Sequence, residues 1–104
     1  MQVMLVRNQA NPVIMDVEHS LQSFQGLVGG MIEVVEPFQD NDVVLVCDES
    51  GRDKGKAVNR VINERIDICG DFFLCGQKDD EIYGTVIGIP DNVIIPYMAA
   101  EDRG

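Results

Sequence analysis

Positive charge is scarce in this chain. Its 104 residues include 8 Lys and Arg against 18 Asp and Glu, which gives a net charge of −10. Affinity for nucleic acid is drawn mostly from Lys and Arg on phosphates, so this deficit argues against direct DNA or RNA binding. Long apolar runs are missing too: no stretch reaches the roughly 18 residues that a membrane-spanning helix requires. The opening Met1-Gln2-Val3-Met4-Leu5-Val6-Arg7 lacks the cationic start, longer apolar run and small-residue cleavage site of a secretory signal. It reads as a strand, and the expected location is the cytoplasm.

The groups that usually carry chemistry are equally sparse. The one histidine, His19, has no Ser or Cys partner recognisable by spacing, so no catalytic triad can be drawn. Cys47, Cys69 and Cys75 show no Cys-x-x-Cys spacing, which suggests neither a disulfide framework nor a zinc knuckle. Each lies among apolar neighbours and reads as a small buried hydrophobe. The acidic pairs Asp40 with Asp42 and Asp48-Glu49, and the run Asp79-Asp80-Glu81, lack the spacing of a calcium loop and read as solvated turns. Gly29-Gly30 follows a helical segment, where a phosphate-binding loop would precede one. The expectation is a protein that is not an enzyme and carries no cofactor or metal.

What is present is ordinary globular material. A length of 104 residues with 45% hydrophobic content points to a single domain over residues 1–104 with a compact core. Met1 to Arg7 and Val13 to Val17 read as paired strands around a turn at Asn8 to Pro12. Ser20 offers an N-cap for a short helix bearing Leu21, Phe24, Leu27 and Val28, which Gly29-Gly30 stops. Met31 to Glu36 and the apolar run Val43 to Cys47 read as a second hairpin, the latter strand central. Lys56 to Arg65 is expected to be a short helix or irregular crossover. Ile66 to Cys75 is expected to be a strand bent at Gly70, Ile82 to Ile89 is β-rich, and Asp91 could cap a last helix reaching Ala100, against which Pro96 argues. The fold class is α+β: a mostly antiparallel sheet of four to six strands with one or two short helices on one face.

One segment departs from the acidic background. Between Gly51 and Arg65 stand Arg52, Lys54, Lys56, Arg60 and Arg65, five cations against Asp53 and Glu64, a local balance of +3 that leaves −13 for the rest. Arginine's planar fork suits phosphate or carboxylate, and an asparagine can donate and accept at a base edge or ribose. Arg52, Lys56, Asn59 and Arg60 are therefore the candidate residues for a small anionic, nucleotide-like ligand. The competing reading is that these cations only offset neighbouring acids on the surface.

Several pieces resemble a known family. They are Gly29-Gly30-Met31-Ile32-Glu33-Val34-Val35 with Pro37-Phe38, then Val44-Leu45-Val46-Cys47-Asp48-Glu49 with Gly51, then Asn59-Arg60, and Gly70-Asp71-Phe72-Phe73-Leu74-Cys75-Gly76. Together they are similar to the small phage-, plasmid- and Firmicutes-borne domain of unknown function 3846. The resemblance spans about three quarters of the chain and fails at Val93-Ile94-Ile95-Pro96-Tyr97-Met98, where related domains look to end in a charged helix. It implies an intracellular mobile-element protein, with no established activity, in a bacterial host. Two functions follow as expectations. One is a binding protein, expected as a homodimer, that counters a host defence system by capturing a small anion such as a nucleotide signal. The other is an acidic inhibitor, even a DNA mimic, that occupies a basic groove on a host nuclease or DNA-binding protein.

Overall fold

The computed structural model describes residues 1–36, 43–62, 65–78 and 81–83, the last five of these by backbone alone. In chain order the elements are β1 (Gln2–Val6), β2 (Val13–Asp16), α1 (Leu21–Val28), β3 (Ile32–Val35), β4 (Val43–Asp48), β5 (Val58–Ile62), β6 (Ile66–Cys69), β7 (Phe72–Lys78) and β8 (Glu81–Tyr83). A six-stranded antiparallel sheet runs β2-β1-β7-β4-β3, with β8 paired to β7. β5 and β6 form a separate two-stranded sheet. No helix among the described residues is long and apolar enough to cross a membrane.

The register lines up two apolar rows across five strands. On one face Val13, Leu5, Phe73, Val46 and Val34 stand in sequence, each opposite the next. On the other face the row is Ile14, Met4, Leu74, Leu45 and Val35. β4 and β7 occupy the middle, which is why Val43 to Asp48 is buried along its whole length and why its sequence does not alternate. Burying one such large side chain contributes about 1.5–3 kcal/mol.

Each face has its own cover. α1 lies over the first row, its Phe24 ring 5.5 Å from that of Phe73, and Val28 joins the same cluster with Val3, Val44 and Cys75. Its ends are built as expected: the Ser20 Oγ accepts from the Ser23 N–H at 3.1 Å, and Gly29 takes φ 77° while its N–H donates to Gln25 O at 2.8 Å. The β5–β6 hairpin covers the other row, with Ile62 and Ile68 packed among Met4, Val6, Leu45, Cys47, Phe72 and Leu74.

Four expectations are corrected or fall outside what is described. The described part of Lys56 to Arg65 is neither helix nor crossover: Val58–Ile62 is strand β5, with its register shifting between Val58 and Arg60. The local spacing of Val58, Val61 and Ile62 imitates a helical face, but the ladder with β6 and the packing of Ile62 on the main sheet decide the outcome. Ile66 to Cys75 is not one bent strand. Gly70, at φ 87°, turns the chain between β6 and β7, which belong to different sheets. The expected helix from Asp91 to Ala100, and the β-rich run beyond Tyr83, lie outside the described residues.

Candidate functional site

The cationic segment contains a buried polar hub, and its anchor is an acid. Asp48, last in β4, stands opposite Ile32 on the helix side of the sheet, and its side chain is 0% exposed. Its Oδ2 accepts from Lys54 Nζ at 2.8 Å and from Lys56 Nζ at 2.7 Å, and its Oδ1 accepts from the Ser50 N–H at 3.0 Å. Burial alone would push this carboxyl up, but the hydrogen bonds from Lys54, Lys56 and the Ser50 N–H outweigh it and hold the group well below the usual carboxylate range. A buried charge is tolerated only when paired and hydrogen-bonded, and here it is both.

The two lysines also complete the helix. α1 has no basic residue in its last turn, although its final carbonyls lack intrahelical donors and carry the negative end of the helix dipole. Lys56 Nζ donates to Val28 O at 2.9 Å, and Lys54 Nζ donates to Gly29 O at 3.2 Å. The ammonium groups of the β4–β5 connection thus tie the end of β4 to the end of α1. A Cβ at Gly30 would press on both Lys54 Nζ and the Asp48 carboxylate.

Asn59 and Arg60 form a second knot under the hairpin. Asn59 Nδ2 donates to Val6 O at 2.8 Å and to Gly70 O at 3.0 Å, stitching β5 to β1 and to the β6–β7 turn. Arg60 Nη1 donates to Asn59 O at 3.0 Å and to Asn59 Oδ1 at 2.7 Å, while Nη2 donates to Ala10 O in the β1–β2 turn. Both side chains are buried, as is rare for Arg unless its donors are used.

The four candidate residues therefore fall into three places. Asn59 and Arg60 are together and turned onto the chain's own carbonyls. Lys56 sits beneath the C-terminus of α1, beside an open hollow of about 380 Å³ that Asn8, Gly70 and Asp71 also line. Arg52 lies on the opposite side of the β4–β5 connection, with its side chain 73% exposed and a single long contact, Nη2 to Asp67 Oδ2 at 3.4 Å. Arg65 is exposed as well.

Next to Arg52 is a cleft of about 320 Å³ between the β3 edge and β6. Its floor holds Val35, Cys47, Ile66 and Ile68, and its rim holds the carboxylates Glu33, Glu49, Asp53 and Asp67. Burial foremost, with the fields of Glu33 and Asp48 adding, pushes the Cys47 thiol up to about 11. Burial alone pushes Cys75 up to about 12. No group of three His, Cys, Asp or Glu among the described residues is placed to hold a metal ion. His19 is exposed, its ring 5.8 Å from that of Phe24.

Sequence reasoning missed Asp48 as the hub, having read Asp48-Glu49 as a solvated turn, and it missed the cleft. A faint signal existed for each. Asp48 directly continues the fully apolar run of β4, so the pleat could carry it inside, and Glu33 interrupts an otherwise apolar edge strand.

An antiparallel six-stranded sheet, sandwiched between one short helix and a β-hairpin and locked by internal cation–carbonyl contacts, defines the class as a small α+β domain. The chain belongs to the family described as domain of unknown function (DUF3846), whose model matches residues 1–99. No curated protein and no solved structure matches it.

Proposed function

We propose that this domain is a non-enzymatic binding protein whose acidic surface occupies a basic groove on another protein, of the kind that a host nuclease or other DNA-binding protein presents. The observation that carries this reading is the division of charge around the β4–β5 connection. Lys54, Lys56, Asn59 and Arg60 spend their donors on carbonyls and a carboxylate of the same chain. The adjoining cleft meanwhile presents four carboxylate residues and the single arginine Arg52.

Capture of a small anion is the weaker reading on the same observation. A phosphate at Lys56 or Arg60 would have to displace buried intramolecular partners, each worth roughly 1–3 kcal/mol when left unsatisfied. Opposite charges that meet across an interface raise the association rate and set specificity, and both effects decline with salt. A panel of basic DNA-binding proteins is the test, titrated at ~0.05 M and ~0.5 M NaCl with duplex DNA as competitor. The expected result is binding that DNA displaces and salt weakens by more than tenfold. Heat from a cyclic or linear nucleotide, with none from any basic protein, would overturn the proposal.

A further inference from the structure

β3 ends the main sheet on the side away from β2, and no described strand pairs with its outer edge. The Glu49 N–H donates to Met31 O at 2.9 Å, and Ile32 stands opposite Asp48, so Ile32 and Val34 occupy the non-bonded positions of the β3–β4 ladder. Their own N–H and C=O groups consequently point away from β4, along the edge that no described strand covers. Natural sheets guard such edges with short strands, charges, proline or a bulge; Ile32–Val35 is short and carries the single charge of Glu33, with no lysine, proline or bulge.

The two faces of this edge differ. Val34 ends the apolar row on the α1 side of the sheet and stays 40% exposed beside the half-buried Ile32. Glu33 points to the other face, where it rims the cleft with Glu49, Asp53 and Asp67. Residues directly opposite one another in a ladder share a face, so a strand added here would meet the apolar side chains of Ile32 and Val34 with the Glu33 carboxylate between them.

We infer that the outer edge of β3 is a docking site for an extended segment of a basic protein in which apolar residues alternate with Lys or Arg. The inference rests on the proposed basic partner and specifies how it is held. Backbone bonds to Ile32 and Val34 provide affinity, the apolar residues cover Ile32 and Val34, and a cation opposite Glu33 enters the cleft. This is strand addition at an exposed sheet edge, with specificity carried by alternate side chains.

The probe is a labelled peptide alternating lysine and valine, read by fluorescence anisotropy beside a peptide of the same composition with its lysines and valines in two blocks. The alternating peptide is expected to bind at least ~10-fold more tightly, and amide shifts in nitrogen–proton spectra should centre on Ile32 and Val34. Val34→Pro removes one outward N–H at an edge position that tolerates proline, and should weaken binding ~10-fold. Glu33→Lys, an exposed reversal, should do the same without altering the fold, and stands in should Val34→Pro unfold the domain. Equal binding of both peptides, or shifts centred elsewhere, overturns the edge while leaving the basic partner intact. Failure of both peptides and of every basic protein overturns the two together. Sedimentation showing a dimer that Glu33→Lys or Val34→Pro dissolves would assign the edge to a second copy of this chain and overturn the inference.

Discussion

Asn59→Ala separates a structural role for the middle segment from a ligand-binding one. Asn59 is 1% exposed; its amide donates to Val6 O and Gly70 O, and its Oδ1 accepts from Arg60. Truncation removes all of these at once and leaves two carbonyls and a guanidinium N–H short of a partner. Each such loss costs about 1–3 kcal/mol, but Arg60 keeps its bonds to Asn59 O and Ala10 O, and water can reach part of the space. A net loss of about 3 kcal/mol is therefore expected, which for a domain of this size lowers Tm by roughly 12–24 °C. Urea unfolding followed by circular dichroism reads it, with an unchanged m value as the sign that the folded state is otherwise intact. Arg65→Ala, an exposed change, serves as reference and should stay within about 0.5 kcal/mol. An Asn59→Ala protein no less stable than that reference would refute the account of the knot and return Asn59 to the pool of ligand-binding candidates.

Other outcomes follow from the same geometry. Because Asp48 has a folded pKa below its unfolded value near 3.9, its stabilisation is complete above that value and fades as pH falls, so the urea midpoint should drop between about pH 5 and pH 2. Asp48→Asn should flatten that drop, and an unaltered pH profile would show that Asp48 is not the group responsible. Replacing Lys54 and Lys56 together by Met leaves a buried carboxylate unpaired and should cost about 3–5 kcal/mol in a melt, whereas a loss under about 1 kcal/mol contradicts the pairing. Gly30→Ala should destabilise through the same hub, because its Cβ would press on Asp48; an unchanged Tm would say that the hub has slack. The Cys47 and Cys75 thiols, pushed up to about 11 and about 12, should resist maleimide at neutral pH in the native protein and react once it is denatured, and fast native labelling would contradict their burial.

How far the amino-acid order foretold these features depends on where the deciding forces are local. Ser20, Gly29 and the apolar spacing between them specify α1 within one short stretch, and the hairpins β1–β2 and β3–β4 are likewise neighbours in sequence. β5 was not legible, because Val58, Val61 and Ile62 fit a helical spacing, whereas the ladder with β6 and the packing of Ile62 against Leu45 and Leu74 hold the segment extended. The site fared similarly. A cluster of cations is visible in the string of residues, but their partners, Val6, Ala10 and Val28, lie far away in the chain. Electrostatic complementarity between such separated groups has no local pattern, so a surplus of charge could be counted and its destination could not.

Titration calorimetry at two salt concentrations tests the central claim, that Lys54, Lys56 and Arg60 of the middle segment are consumed inside the fold and the surface that remains acts as an anion. The account predicts saturable, salt-weakened heat with the alternating lysine–valine peptide and none with cyclic or linear nucleotides. Nucleotide binding that Arg52→Ala abolishes while the stability of the domain is unchanged would contradict it.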